Sequence, residues 1–185
     1  MNRVPRLRTG DIVLFSDRSM VSRWIRWLTR SHGEGKTRAS HVGVMADSEN
    51  ICEALATVKI HPVAPRLKSG WREIYRLRGL RWADRVCIRR QCRASRGQRY
   101  GVLKVAAQAA DGLLGKVFGD VRIFRRLCLV PDRPICSQLV AEIMNRCAAP
   151  DCFGVPANSA TPDDIRDACE DLGRFMRVWK SEKGR

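Results

Sequence analysis

Cys136 stands in the stretch Pro134 to Met144, where a thiol at the start of a helix could act as a nucleophile. Ile135, Leu139, Val140, Ile143, Met144 and Cys147 recur at helical spacing and predict one apolar stripe. Proline is tolerated only in the first turn of a helix, so Pro134 marks the start. That opening turn offers unpaired backbone N–H groups and the positive end of the helix dipole, which favour a thiolate. A thiol so placed becomes a nucleophile if a base is near. The competing reading is a small core residue, which is what a free cysteine usually is.

Three histidines could supply the base. His32 sits in a Gly-rich polar loop, and His61 precedes Pro62 at a strand end with no evident acid partner. His41 opens a strand, His41 to Ala46, and the next strand, Ile51 to Leu55, carries Glu53. Joined by the turn-like Asp47 to Asn50, the two strands form a hairpin in which Glu53 can reach the His41 ring. A carboxylate there would fix the tautomer and stabilise the imidazolium, the third-member role of a catalytic triad.

The elements that must position these groups read as an α+β chain. Asp11 to Phe15 is a short buried strand, and Ser16 to Arg30 an amphipathic helix with Trp24 and Leu28 on one face and Arg23 and Arg30 on another. Val58 to Val63 and Glu73 to Leu77 add two strands, giving an antiparallel meander rather than alternating strands and helices. Trp82 to Ala94 is helical, and Arg85, Arg89, Arg93 and Arg96 share its spacing, which predicts one exposed positive stripe. After Gly97 come an apolar helix, Val102 to Phe118, and a basic connection, Arg122 to Arg133. Pro150 to Pro162 is a loop, Thr161 to Asp164 opens a last short helix, and Phe175 to Trp179 is a closing strand. With no repeat and no low-complexity linker, residues 1–185 are read as one domain.

Charge is the unusual property. The formal net charge is +16, and residues 72–99 hold ten Arg against Glu73 and Asp84. Such a segment attracts phosphate-bearing partners, nucleic acid or anionic lipid. Since 28 of the 35 basic residues are Arg, a compositional bias accounts for the excess equally well. The N-terminus is basic but lacks an apolar core, and the run Val105 to Phe118 is too short to span a bilayer. No transmembrane segment is expected, and the expected location is cytoplasmic, though export by another route stays open. Eight cysteines in that setting are expected to be free thiols. The spacing of Cys87 with Cys92 and of Cys147 with Cys152 is too loose to argue for zinc, and a helical pattern runs straight through the first pair. No metal or organic cofactor is implied.

Five motifs carry a family resemblance. Gly10 to Phe15, Ser40 to Val44, Glu53-Ala54, Ile135 to Val140 and Thr161 to Ile165, in this order, resemble the permuted papain-like cysteine peptidases and amidases. These are the circularly permuted NlpC-type (YiiX-like) hydrolases, related to the lecithin:retinol acyltransferases. The resemblance implies a permuted papain-like fold, a small antiparallel sheet or half-barrel packed on helices. It makes Cys136 the nucleophile, His41 the base and Glu53 the orienting group, and it suggests that Tyr100 lines the site. In the acyltransferase branch a second histidine stands where Glu53 stands, so the carboxylate favours the bacterial hydrolase side. The Arg-rich helix is not a feature of that family.

The expected function is therefore thiol-dependent cleavage of an amide or ester bond, with a peptidoglycan-like peptide as the substrate class that the resemblance implies. Two rivals remain from other classes. One is a catalytically idle basic module gripping nucleic acid or another polyanion through Arg85, Arg89, Arg93 and Arg96. The other is a lipid-directed acyltransferase or esterase at a membrane surface.

Overall fold

The computed structural model describes residues 4–16, 39–68, 70–99 and 135–181. The helices expected beyond Ser16 and over 102–118, the connection 122–133, His32 and Tyr100 lie outside the described residues.

Six strands form one antiparallel sheet: β1 (Ile12–Ser16), β2 (His41–Met45), β3 (Asn50–Ala54), β4 (Val58–Pro62), β5 (Trp71–Leu77) and β6 (Phe175–Lys180). Their spatial order is β4-β3-β2-β1-β5-β6. The meander expectation holds for β1 through β4. The chain then crosses back, through a short helix α1 (Ala64–Leu67), so that β5 pairs with the free edge of β1. The first strand is thereby buried between two neighbours, consistent with its unbroken apolar run Ile12 to Phe15.

Alternation along the strands separates two cores. Ile12, Leu14, Val42, Val44, Cys52 and Tyr75 point to one face. There they meet α2 (Trp82–Ser95), α3 (Cys136–Cys147) and α4 (Pro162–Asp171) through Ile88, Cys92, Leu139, Val140, Met144 and Ile165. Val13, Phe15, Met45, Ile51 and Ile74 point to the other face and pack with Leu7 and Val63. The period of two is what allows one strand to serve both cores.

The apolar stripe expected on α3 is fully buried, from Ile135 at 2% exposure to Cys147 at 8%. Truncating a residue such as Leu139 to Ala would remove about 2–5 kcal/mol. Thr161 caps α4 as expected: its hydroxyl accepts from the Asp164 N–H at 3.1 Å while the Asp164 carboxylate accepts from the Thr161 N–H at 2.8 Å.

One expectation about cysteines is overturned. Cys87 on α2 and Cys147 at the end of α3 form a disulfide with their Cα atoms 5.5 Å apart, so these two are not free thiols. The period-3.6 pattern of each helix places these two side chains at the α2–α3 contact, something no local reading of either helix reveals. The remaining described cysteines, 52, 92, 136, 152 and 169, are free and buried.

Candidate active site

Cys136 is the first residue of α3, after the extended Ile135, so its thiol sits where the helix has unpaired N–H groups. His41 is the first residue of β2 and pairs with Phe15 of β1. Glu53 lies on β3, whose register with β2 sets Val44 opposite Cys52 and Met45 opposite Ile51. Continued toward the open end of the hairpin, that register puts Gly43 opposite Glu53 and His41 on the diagonal, on the same face. A Cβ at Gly43 would come within 2.7 Å of the Ile51 side chain and 3.1 Å of the Cys52 carbonyl. Glycine is what lets the two strands close up beside the histidine.

The three groups come together. His41 Nε2 lies 2.5 Å from Glu53 Oε2, which leaves Nδ1 for its hydrogen bond with Cys136. The backbone N–H groups of Val42 and Ser137 point at the same sulfur. Glu53 is completely buried, Cys136 nearly so, and the His41 side chain is 15% exposed.

Charge, rather than burial, decides how these groups ionise. Burial opposes a charged Cys136, but the His41 imidazolium and the two N–H groups outweigh it and hold the thiol below its ordinary value. Burial likewise opposes a charged His41, yet the Cys136 thiolate and the Glu53 carboxylate push it up to about 9. Glu53 is held down at about 2, against its own burial, by His41 and Arg66. The mutual shifts favour thiolate and imidazolium over the neutral pair, with the carboxylate held down behind them.

Two further residues join the carboxylate. Arg66 of α1 donates from Nε to Glu53 Oε1 at 3.1 Å and from Nη2 to Oε2 at 3.2 Å, a bidentate clamp. His61 Nε2 stands 2.8 Å from Oε1, in an ion-pair contact whose alignment is not that of a hydrogen bond. The expectation that His61 lacks an acid partner is thus corrected. The signal lay in the β3–β4 pairing: Ile51 faces His61 and Glu53 faces Lys59, so His61 shares a face with Glu53 one pair away. Arg66 gave no such signal, because α1 is a single turn.

The clamp is itself held. Arg72 donates from Nε to the Arg66 carbonyl at 2.7 Å, and both guanidinium groups lie over the Phe15 ring, 4.7 and 5.0 Å from its centroid. Phe15 also contacts the His41 ring, at 5.8 Å between centroids.

The expected arginine stripe is only partly formed. Arg89, Arg93 and Arg96 are exposed, but Arg85 turns to the body and donates to the Thr9 carbonyl at 2.5 Å. Tyr100 lies outside the described residues. A cleft of about 330 Å³ between Leu77, Leu80, Ala148 and Arg174 is at the opposite end of α3 and holds none of the site's groups.

The fold and the site together define an α+β protein with an open antiparallel sheet and a buried Cys-His-Glu cluster at its end. Among solved structures, the chain is similar to that described as metalloprotein YiiX from Escherichia coli O157:H7. The match has a TM-score of 0.62 at 16% identity and covers 95% of this chain and 98% of that one, which shows a shared fold. No family model matches the sequence, and no curated protein matches it either.

Proposed function

We propose that this chain is a thiol-dependent hydrolase of the permuted papain-like type, cleaving an amide or ester bond through Cys136, His41 and Glu53. The observation that carries the reading is the hydrogen-bonded run from a helix-start thiol through one imidazole to a buried carboxylate, with each group shifted toward its charged form. Structural ion pairs seldom include a thiolate; a nucleophile needs one.

The chemistry follows from the geometry. The Cys136 sulfur attacks the carbonyl carbon, and the carbonyl π pair moves to oxygen to give a tetrahedral oxyanion, which N–H groups of the first turn of α3 stabilise. Collapse expels the leaving amine or alcohol, which takes the proton from His41 Nδ1 and leaves an acyl thioester. Water then gives a proton back to His41 and its oxygen attacks the thioester, releasing the acid and restoring the pair. Glu53 stays ionised throughout and holds Nε2, so that Nδ1 faces the sulfur.

The substrate class suggested by the resemblance is a cell-wall peptide of the peptidoglycan kind. A metal is not needed for this reading. Among the described residues no group of three or more His, Cys, Asp and Glu is arranged to hold a metal ion. The carboxylate nearest the histidines is already clamped by the Arg66 cation. What the YiiX description says of metal is therefore not carried to this chain.

The test is selective alkylation with limiting iodoacetamide near neutral pH, followed by peptide mapping, beside a screen of peptidoglycan fragments and simple esters. Cys136 should label first, and His41→Ala should slow it. The other thiols offer a clear contrast: burial pushes Cys152 up to about 11, and Cys169 is held well above its ordinary value. Turnover should be lost in Cys136→Ala. Uniform labelling, or turnover that survives Cys136→Ala, would overturn the proposal.

A further inference from the structure

The outer face of α2 carries a pattern that the hydrolase reading leaves unused. Asp84, Ile88 and Cys92 fix the inner face in the core, and the Cys87–Cys147 disulfide and the Arg146–Gln91 hydrogen bond tie the helix to α3. With 3.6 residues per turn, Trp82, Val86, Arg89 and Arg93 then fall within an arc of roughly 60°, opposite that buried side. They form a line about 16 Å long on a helix that cannot roll.

The line is apolar at one end and cationic at the other. Trp82 is 79% exposed and Val86 45%. Arg89 and Arg93 are exposed, and Arg90 and Arg96 flank them. Residues 85–99 contain no acidic side chain, and the only carboxylate of the helix, Asp84, is buried and spent on Arg81. The positive charge of this face is uncompensated within α2.

We infer that this face docks the protein flat on an anionic lipid bilayer, with Trp82 and Val86 entering the interface and Arg89 and Arg93 on lipid phosphates. Both chemistries in the line point to this partner. Duplex nucleic acid offers phosphates to the arginines, but its backbone offers little apolar surface beside them for Trp82 and Val86. A bilayer offers both at the depth of the headgroups, where an indole is favoured and a basic side chain meets negative potential. No described helix is long and apolar enough to cross a membrane.

The experiment is vesicle co-sedimentation with the whole chain. Vesicles of phosphatidylcholine containing roughly one-quarter phosphatidylglycerol should bind it at least about tenfold more tightly than phosphatidylcholine alone. Raising salt from about 0.1 to 0.5 M should weaken that binding. Arg89→Gln with Arg93→Gln should reduce partitioning roughly thirtyfold. Trp82→Ser with Val86→Ser should also reduce it, by several fold, while leaving duplex DNA retention unchanged. All four side chains are exposed, so unchanged thermal melting in both double variants excludes misfolding as the cause. Equal binding to neutral vesicles, or vesicle binding that ignores Trp82 and Val86, would overturn the inference. Loss of both vesicle and DNA binding only in the arginine variant would mark a general polyanion surface instead. None of these outcomes depends on Cys136, so failure here leaves the hydrolase proposal standing.

Discussion

Two of the completely buried carboxylates lie on opposite faces of the same sheet, and each is ringed by cations. Glu53, on β3, faces His41, His61 and Arg66. Glu73, on β5, faces Arg166 at 3.6 Å, Arg177 at 3.8 Å and Lys180 at 2.9 Å, and it accepts a hydrogen bond from the Tyr75 hydroxyl at 2.9 Å. Both have the desolvation problem of a buried anion, and both solve it by pairing. They differ in what stands behind the cations. The cations around Glu73 are two guanidinium groups and an ammonium, and burial together with Glu73 and Glu170 pushes the Tyr75 hydroxyl far above its ordinary value. No imidazole stands among these partners. Glu53 instead holds an imidazole whose second nitrogen meets a thiol. Burial and ion pairing alone do not make a site; a titratable partner next to a nucleophile does.

The largest effect should come from removing that partner. His41→Ala or Cys136→Ala should reduce turnover of any responsive substrate by roughly 10³-fold or more, since the two act as one unit. The double variant should be little worse than either single one. Replacing Tyr75 with Phe, at the same depth beside Glu73, should leave turnover within about twofold of wild type. Comparable losses at both places would erase the distinction between the two carboxylates.

Glu53→Gln and Glu73→Gln make a matched pair. Glu53→Gln leaves the partly buried His41, His61 and Arg66 uncompensated and should lower stability by about 3–5 kcal/mol in denaturant titrations, whereas Glu73→Gln should cost less, because Arg177 and Lys180 remain in contact with solvent. Only Glu53→Gln should also lower turnover, by roughly 10²-fold or more, because glutamine neither fixes the Nε2 proton nor stabilises the imidazolium. A turnover loss in Glu73→Gln beyond the fraction unfolded would show that the sheet couples the two faces.

The difference between these carboxylates was only half visible in the sequence. Strand alternation and the Asp47 to Asn50 turn sufficed to bring Glu53 to His41, because both lie on one hairpin whose register a single turn sets. The capped start of α4 at Thr161 was equally local. Arg66 and the return of β5 to β1 were not legible, since both depend on which edge of the sheet the chain revisits after β4. The disulfide is another case: Cys87 and Cys147 are 60 residues apart, and each looked like one more core thiol. Arg85 shared the helical spacing of its neighbours, but the nearby Thr9 carbonyl captured it.

Acidity should separate the two sites further. With His41 raised to about 9 and Cys136 lowered, turnover should rise with pH as the thiolate forms, hold across neutrality, and fall above about 9 as the imidazolium deprotonates. Past that limb the rate should drop about tenfold per pH unit. Stability follows the same groups in opposite senses. Glu53, depressed from 4.5 to about 2, stabilises the fold fully above its unfolded value, and that contribution is lost as pH falls toward 2. His41, raised from 6.5, stabilises the fold fully below its unfolded value, and this is lost as pH rises through 9. Glu53→Gln should flatten the acid limb of a stability–pH curve. A turnover limb near the ordinary histidine value would mean that the thiolate–imidazolium pair does not form.

The smallest effect, and the finest test of the comparison, belongs to Arg66. It touches neither the sulfur nor the ring but clamps the carboxylate that orients the ring, so it is a positioning residue. Arg66→Gln leaves Glu53 its bond to His41 while removing one of the cations that hold it ionised. Turnover should fall by less than about tenfold at neutral pH, since the imidazolium still faces a carboxylate. The acid limb of stability should move upward, because Glu53 would protonate at a higher pH. Arg66→Lys should restore part of the acid stability through its charge but not the bidentate geometry, leaving turnover between the two. A merely structural arginine would shift melting temperature without moving either pH limb. If Arg66→Gln instead proved as damaging as Glu53→Gln, the clamp rather than the carboxylate would be setting the ring, and Glu53 would resemble Glu73 more closely than its histidine suggests.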